Sequence, residues 1–188
     1  SMGKKCTLYA DANSSYTSIK KAVEVGRMLE NNGFSFYEEP VPFDYLNETK
    51  LVADALNIPV AWGEQESSQW RFKWMIDNSG VKIFQPDLFY YGGLIRSLRV
   101  AQMAAVKGYD CTPHISGGGL GFLYMGIYAS CCPNPGPYQE YKGLTNTFPW
   151  ESTGKKISVE NGAMTAPNGN GIGVGIDPEY LLKAKMIG

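Results

Sequence analysis

Six ionisable residues recur along this chain of 188 residues at nearly constant spacing. Asp11, Glu38, Glu64, Asp87, His114 and Glu140 stand 27, 26, 23, 27 and 26 residues apart. Each follows a short β-prone run, and helical periodicity fills the stretch before the next. Such an interval holds one strand, one helix and two loops. Strands linked through single helices lie parallel and cross over right-handedly. Wound around one axis they make an α/β barrel, in which every strand delivers its C-terminal residues to the same face. One acid at a strand end is commonplace, but six titratable groups on the βα period require a shared reason.

Local patterns support the alternation. Thr7–Ala10, Phe34–Glu38, Val60–Trp62, Val81–Gln85, Tyr109–Thr112 and Tyr138–Tyr141 read as strands. A helix is expected over Tyr16–Asn31, where Ile19, Val23, Gly26 and Leu29 recur at helical spacing and Gly33 stands past the end. Others are expected over Leu46–Leu56, Ser68–Asp77 and Leu120–Ser130, and after Gly92-Gly93, where Leu94, Leu98, Ala101 and Ala105 share a face. After Lys142 the rhythm breaks. Ile157–Val159 and Ala163–Thr165 flank Glu160-Asn161-Gly162, a hairpin pattern, and a Gly-rich stretch leads into a helix over Pro178–Lys185. The expected fold class is α/β, a TIM (β/α)8-type barrel. About six βα units occupy residues 6–142, and a tail over 143–188 carries a β-hairpin and a helix. A full barrel takes about 250 residues, so this one is expected to be incomplete.

Composition excludes several classes. Hydrophobic residues make up 44% of the chain, enough for a core and too many for disorder. With 17 basic against 18 acidic side chains and no Lys/Arg run, a nucleic-acid-coating surface is excluded. No apolar run approaches the ~20 residues of a membrane helix, and no secretion signal is recognisable. A cytoplasmic location is therefore expected, with Cys6, Cys111, Cys131 and Cys132 as buried free thiols. Their spacing matches no metal motif. Gly171, Gly173 and Gly175, like Gly117-Gly118-Gly119, lack the strand–turn–helix context of a phosphate loop.

The chemistry of the six residues sorts them. Asp11, Glu38 and Glu64 offer only oxygen, and three carboxylates facing one another raise each other's pKa unless a cation sits between them. A hard donor set suits Mg²⁺ or Mn²⁺, whereas zinc would bring nitrogen or sulfur ligands. The competing reading is that one or more of these acids caps the following helix. His114 is the only histidine. A lone histidine is commonly structural, but this one ends a strand beside three glycines, and Asp87 ends the strand before it. A carboxylate accepting from one ring nitrogen fixes the tautomer and makes the other nitrogen more basic. Asp87–His114 thus reads as a general base. Glu140, if protonated, could hydrogen-bond to charge developing on a substrate; the alternative is an ion-paired surface acid.

Several segments taken in order resemble the enolase superfamily, specifically the C-terminal barrel of its mandelate-racemase-like branch. They are Asp11-Ala12-Asn13, Tyr37-Glu38-Glu39-Pro40-Val41, Gly63-Glu64-Gln65, Gln85-Pro86-Asp87 with Gly92-Gly93, Pro113-His114, and Gly171-Ile172-Gly173-Val174 followed by Asp177. The resemblance covers Leu8 to Leu182. It implies that Asp11, Glu38 and Glu64 bind Mg²⁺, with Glu38 rather than Glu39 as the ligand of that pair. It further implies that Asp87 and His114 form the catalytic dyad, that Glu140 is the acid stabilising the intermediate, and that Asn13 lies near substrate. A muconate-cycloisomerase-like member would carry lysine on the strand holding Asp87.

The implied reaction removes the α-proton of a carboxylate to give an ene-diolate. Dehydration of a small sugar acid is favoured, with racemisation or epimerisation as the alternative. A homo-oligomer is expected. Members of the superfamily also carry a capping domain and two earlier barrel strands, the second with a Lys-x-Lys motif. Lys4 and Lys5 stand only seven and six residues before Asp11, too close to be that motif. The chain is therefore expected to correspond to the last six βα units without a cap, and to be inactive by itself. A non-catalytic module is the reading from a different class.

Overall fold

The computed structural model describes residues 6–116, 120–141, 152–153, 159–176, 178–183 and 185. Five strands, β1 (Ala10–Asp11), β2 (Tyr37–Glu38), β3 (Val60–Trp62), β4 (Ile83–Phe84) and β5 (Asp110–Cys111), pair in chain order, and every pair is parallel. Helices α1 (Ile19–Asn31), α2 (Leu46–Asp54), α3 (Gln69–Asp77) and α4 (Leu94–Ala105) connect them, and α5 (Leu120–Cys131) follows β5. Sequential parallel strands joined by helices are the wall of a (β/α) barrel, and the described residues supply five of its strands where the sequence pattern predicts about six.

Register decides which side chains reach the functional face. Residues paired across a parallel ladder share a face, and the face alternates along each strand. Val60, Trp62, Phe84 and Cys111 join the core that the helices cover, together with Phe72, Met75, Val100, Ala101 and Ala104. The row Asp11, Glu38, Ala61, Ile83, Asp110 takes the opposite face. Asp11 and Glu38 are direct register partners. The strands are short because the polar residues at their ends belong to the loops of the site.

Helix boundaries follow the chemistry at their ends. The Ser18 hydroxyl accepts from the Lys21 amide at the start of α1, and Gly33 turns the chain beyond its end at φ +74°. Ala22, Gly26 and Leu29 are buried on α1, and Ile19 and Val23 pack beside them. On α4 the buried face is Ser97, Val100, Ala101 and Ala104, with Leu94 and Leu98 at its margin. That face is rotated from the expected one. Ser97 can be buried because its hydroxyl donates to the Gly93 carbonyl.

The sixth strand expected over Tyr138–Tyr141 does not form. The run Pro133-Asn134-Pro135-Gly136-Pro137 leads into it, and three prolines remove the amides that a ladder needs. The segment still lies along β5. The Cys111 amide donates to the Asn134 carbonyl at 2.9 Å, and the Gly136 amide donates to the Thr112 hydroxyl at 3.2 Å. Tyr138 then meets Thr7, hydroxyl to hydroxyl at 3.1 Å, which brings this segment round to the approach of β1.

In the tail, β7 (Val159–Glu160) and β8 (Ala163–Met164) form the expected antiparallel hairpin about Asn161-Gly162. Val159 and Met164 pack on the main core. β6 (Ser152–Thr153) pairs with β9 (Gly175–Ile176), and α6 (Pro178–Leu182) is shorter than expected. Gly117–Gly119 and Asp177 lie outside the described residues. Cys111 and Cys132 are buried free thiols, but Cys6 and Cys131 are exposed, contrary to the expectation for all four. No helix among the described residues is long and apolar enough to cross a membrane.

Candidate active site

The ends of β1, β2 and β3 bring three carboxylates together. Asp11 and Glu38 close their strands in register, and Glu64 follows β3 after a turn at Gly63, where φ is +125°. A side chain on residue 63 would be strained at that φ, and its Cβ would lie 2.7 Å from the Phe72 ring. Glycine is thus what lets Glu64 turn back towards its neighbours. One oxygen from each of Asp11, Glu38 and Glu64 lies within 4.8 Å of the others. Octahedral oxygen ligands of Mg²⁺ span up to about 4.2 Å across the ion, so small side-chain shifts close the set around a hard cation. The donors are oxygen only, as that ion requires. Asp11 is exposed, and Glu38 and Glu64 are buried.

Burial leaves its mark on these acids. Desolvation pushes Glu38 up to about 8, opposed by a hydrogen bond from Gln85 and reinforced by Asp11 and Glu64. Glu64 is raised mainly by burial, while the His114 charge pulls it down. Each acid lies in the field of the others, and the Asp11 charge raises both Glu38 and Glu64. A cation among them would relieve that repulsion. The electrostatics therefore fit a cation-binding trio better than three helix caps.

A second group lies beside the trio. Asp87 and His114 are joined by a parallel backbone bridge beyond the ends of β4 and β5. His114 Nδ1 lies 2.6 Å from Asp87 Oδ2, and the Ser116 hydroxyl donates to the same oxygen. Asp87 Oδ1 accepts from the amides of Phe89 and Tyr90 at 2.7 and 2.8 Å. Burial would raise Asp87, but these four bonds outweigh it and hold the carboxyl below its ordinary range. With Nδ1 bonded to Asp87, Nε2 faces the trio, 3.4 Å from Glu64 Oε2 and 3.8 Å from Glu140 Oε2. Burial disfavours the imidazolium, yet the Asp87 bond and the charges of Glu140 and Glu64 raise His114 above its ordinary value.

All six residues of the spacing pattern thus converge. Glu140 arrives without a strand, held by the Ile115 amide donating to its Oε2 at 2.7 Å. Asn13 turns back on Asp11, to which its amide and side-chain nitrogen donate at 2.8 and 2.9 Å. Sequence reasoning missed Ser116, Gln85 and Glu39. Ser116 carries no motif of its own, Gln85 entered only as part of the Gln85-Pro86-Asp87 segment, and Glu39 was set aside in favour of Glu38 as the ligand.

Fold and site together define a (β/α)-barrel protein with a carboxylate centre at the C-terminal ends of its strands. The family of enolase C-terminal domain-like proteins matches residues 1–180, and the chain belongs to that family. It is 31% identical over 187 residues to arabinonate dehydratase of Saccharolobus solfataricus, a match covering 97% of this chain and 49% of that protein. D-galactarolactone cycloisomerase of Agrobacterium fabrum is 28% identical, with 98% and 50% covered. The crystal structure of a mandelate racemase/muconate lactonizing enzyme-like protein from Roseovarius superposes with a TM-score of 0.83 at 28% identity, covering 95% of this chain and 44% of that one. The chain spans about half the length of the curated relatives it matches.

Proposed function

We propose that the chain carries the active-site face of a Mg²⁺-dependent lyase, an acid-sugar dehydratase. One juxtaposition carries this reading: an oxygen-only donor trio stands beside an imidazole whose Nδ1 is tied to Asp87 and whose Nε2 looks at that trio. The arabinonate dehydratase relative supports dehydration as the outcome. Asp11, Glu38 and Glu64 would hold the ion, with Mn²⁺ as a substitute. When bound, Mg²⁺ supplies a Lewis acid for the charge that develops on a substrate carboxylate.

The chain's own residues do the rest. His114 Nε2 takes the α-proton from C2, and Asp87 keeps the ring in place and stabilises the imidazolium that forms. The electron pair left at C2 moves into the carboxylate, giving an ene-diolate. Glu140, beside the same nitrogen, is assigned to the stabilisation of that charge. The C3 hydroxyl then leaves, taking the proton back from His114 as water. The enol that remains gives up its C2 hydroxyl proton to solvent and takes a solvent proton at C3, so the products are a 2-keto-3-deoxy acid and water. Asn13, at the exposed rim beside Asp11, is assigned to the substrate. Because the matched relatives are twice as long, the activity belongs to the site in a full-length setting, and the 188-residue chain by itself is expected not to turn over.

A screen of sugar acids with the full-length protein, read as 2-keto acid product, tests the assignment. Product from at least one sugar acid is expected. Failure on all of them would overturn the dehydratase reading. Exchange of the α-proton with solvent without loss of water would instead place the reaction with racemases and epimerases.

A further inference from the structure

Glu39 has no part in the scheme above, yet it is wholly buried at the centre of the loops that carry the trio. Its Oε2 accepts from two side chains on different loops, the Ser14 hydroxyl after β1 at 3.1 Å and the Gln65 side-chain nitrogen after β3 at 2.8 Å. Its carbonyl accepts from the Ser14 amide at 2.8 Å, and its amide donates to the Ala61 carbonyl at 3.0 Å. Its Oε1 has no hydrogen-bond partner among the described residues, although it is buried. The backbone is also unusual here. Asn13, Ser14 and Glu39 all hold positive φ, at 48°, 61° and 38°, a region non-glycine residues occupy only when their surroundings impose it.

Each partner of Glu39 lies close in sequence to one member of the trio. Ser14 is three residues past Asp11, Glu39 itself follows Glu38, and Gln65 follows Glu64. A buried carboxylate costs free energy unless its surroundings use it, and a surface loop does not need one. We propose that Glu39 is a positioning residue: its carboxylate ties the loops after β1, β2 and β3 together and so sets the separation of Asp11, Glu38 and Glu64. The inference rests on the cation-binding reading of that trio. Groups that hold metal ligands in place typically change affinity by about 10- to 100-fold when removed.

The test compares Glu39→Ala, Glu39→Gln and the double variant Ser14→Ala/Gln65→Ala in the full chain. Two quantities are read: Mg²⁺ affinity by calorimetry, and hydrogen exchange at the Ser14, Ser15 and Glu66 amides without metal. Glu39→Ala and the double variant are expected to weaken Mg²⁺ binding about tenfold or more and to speed exchange at those amides. In Glu39→Gln the carbonyl oxygen can take the place of Oε2, so affinity and exchange are expected to stay near wild type. If Gln weakens binding as much as Ala while exchange is unchanged, Glu39 acts through its charge and the proposal is overturned. Unchanged affinity in the double variant overturns it as well, even where Glu39→Ala fails to fold. If the wild type takes up no Mg²⁺, the cation reading itself falls; faster exchange in Glu39→Ala would then mark a merely structural residue, and the positioning role falls with it.

Discussion

Asp87 accepts four hydrogen bonds, and in doing so keeps both its charge and its direction. Replacing it by Asn preserves the shape and an acceptor for the Phe89 and Tyr90 amides. The new NH₂ faces His114 Nδ1, however, and turns the ring to the wrong tautomer. Asp87→Asn is therefore expected to lower turnover of the full-length protein by about 10² to 10⁴-fold with an unchanged circular dichroism spectrum; near-normal turnover would remove Asp87 from the dyad. Glu38 carries a pH prediction. Its carboxyl is raised in the fold to about 8 by burial, so it favours folding while protonated. That contribution is complete below the ordinary carboxylate range and is lost as pH rises towards about 8; His114, also raised, acts in the same direction. Without divalent cation, the thermal midpoint is expected to fall from pH 6 to pH 9, and Mg²⁺ should reduce that fall by replacing the proton. The same pH dependence with and without Mg²⁺ would speak against a cation among these acids. The six spaced residues were legible because strand ends repeat. Glu39 and Ser116 were not, because a side chain that acts through others leaves no periodic trace.

Elements carry the site through a few close contacts. The turn at Gly63 places Glu64 and leaves room for the Phe72 ring of α3. Gly63→Ala combines a forbidden φ with that clash, so a loss of about 1–3 kcal/mol in urea unfolding is expected, together with weaker Mg²⁺ binding. A neutral Gly63→Ala would mean the turn is not what sets Glu64. Phe72 itself is fully buried and meets Trp62 and Tyr91 edge-on, with ring centroids 5.2 and 4.8 Å apart. Phe72→Ala is expected to cost about 3–5 kcal/mol, read by the same unfolding curve. Helix and strand order could be read from hydrophobic period alone. The face of α4 could not, since the period does not say that a hydrogen-bonded Ser97 will be buried. Nor did it show that the prolines before Tyr138 would replace the sixth strand with a segment anchored by hydrogen bonds to the β5 region.

At the scale of the molecule, residues as far apart in sequence as Glu64 and Glu140 reach the same His114 nitrogen only because five parallel strands bend into one wall. No single motif defines the site, which is why spacing along the chain said more than any local pattern. Cation binding should also stabilise the whole fold. Mg²⁺ at a hundred times its dissociation constant adds about 2.7 kcal/mol if it binds only the folded state. The central claim joins two groups, a cation trio and a histidine dyad, in one proton abstraction. Its most direct measurement is turnover of a sugar acid by the full-length protein in D₂O, followed by NMR, with Mg²⁺ or with chelator and with His114→Asn. The expected result is a 2-keto-3-deoxy acid carrying solvent deuterium at C3, formed only with Mg²⁺ and lost in His114→Asn. Product formed equally well with chelator, or by His114→Asn, would contradict it.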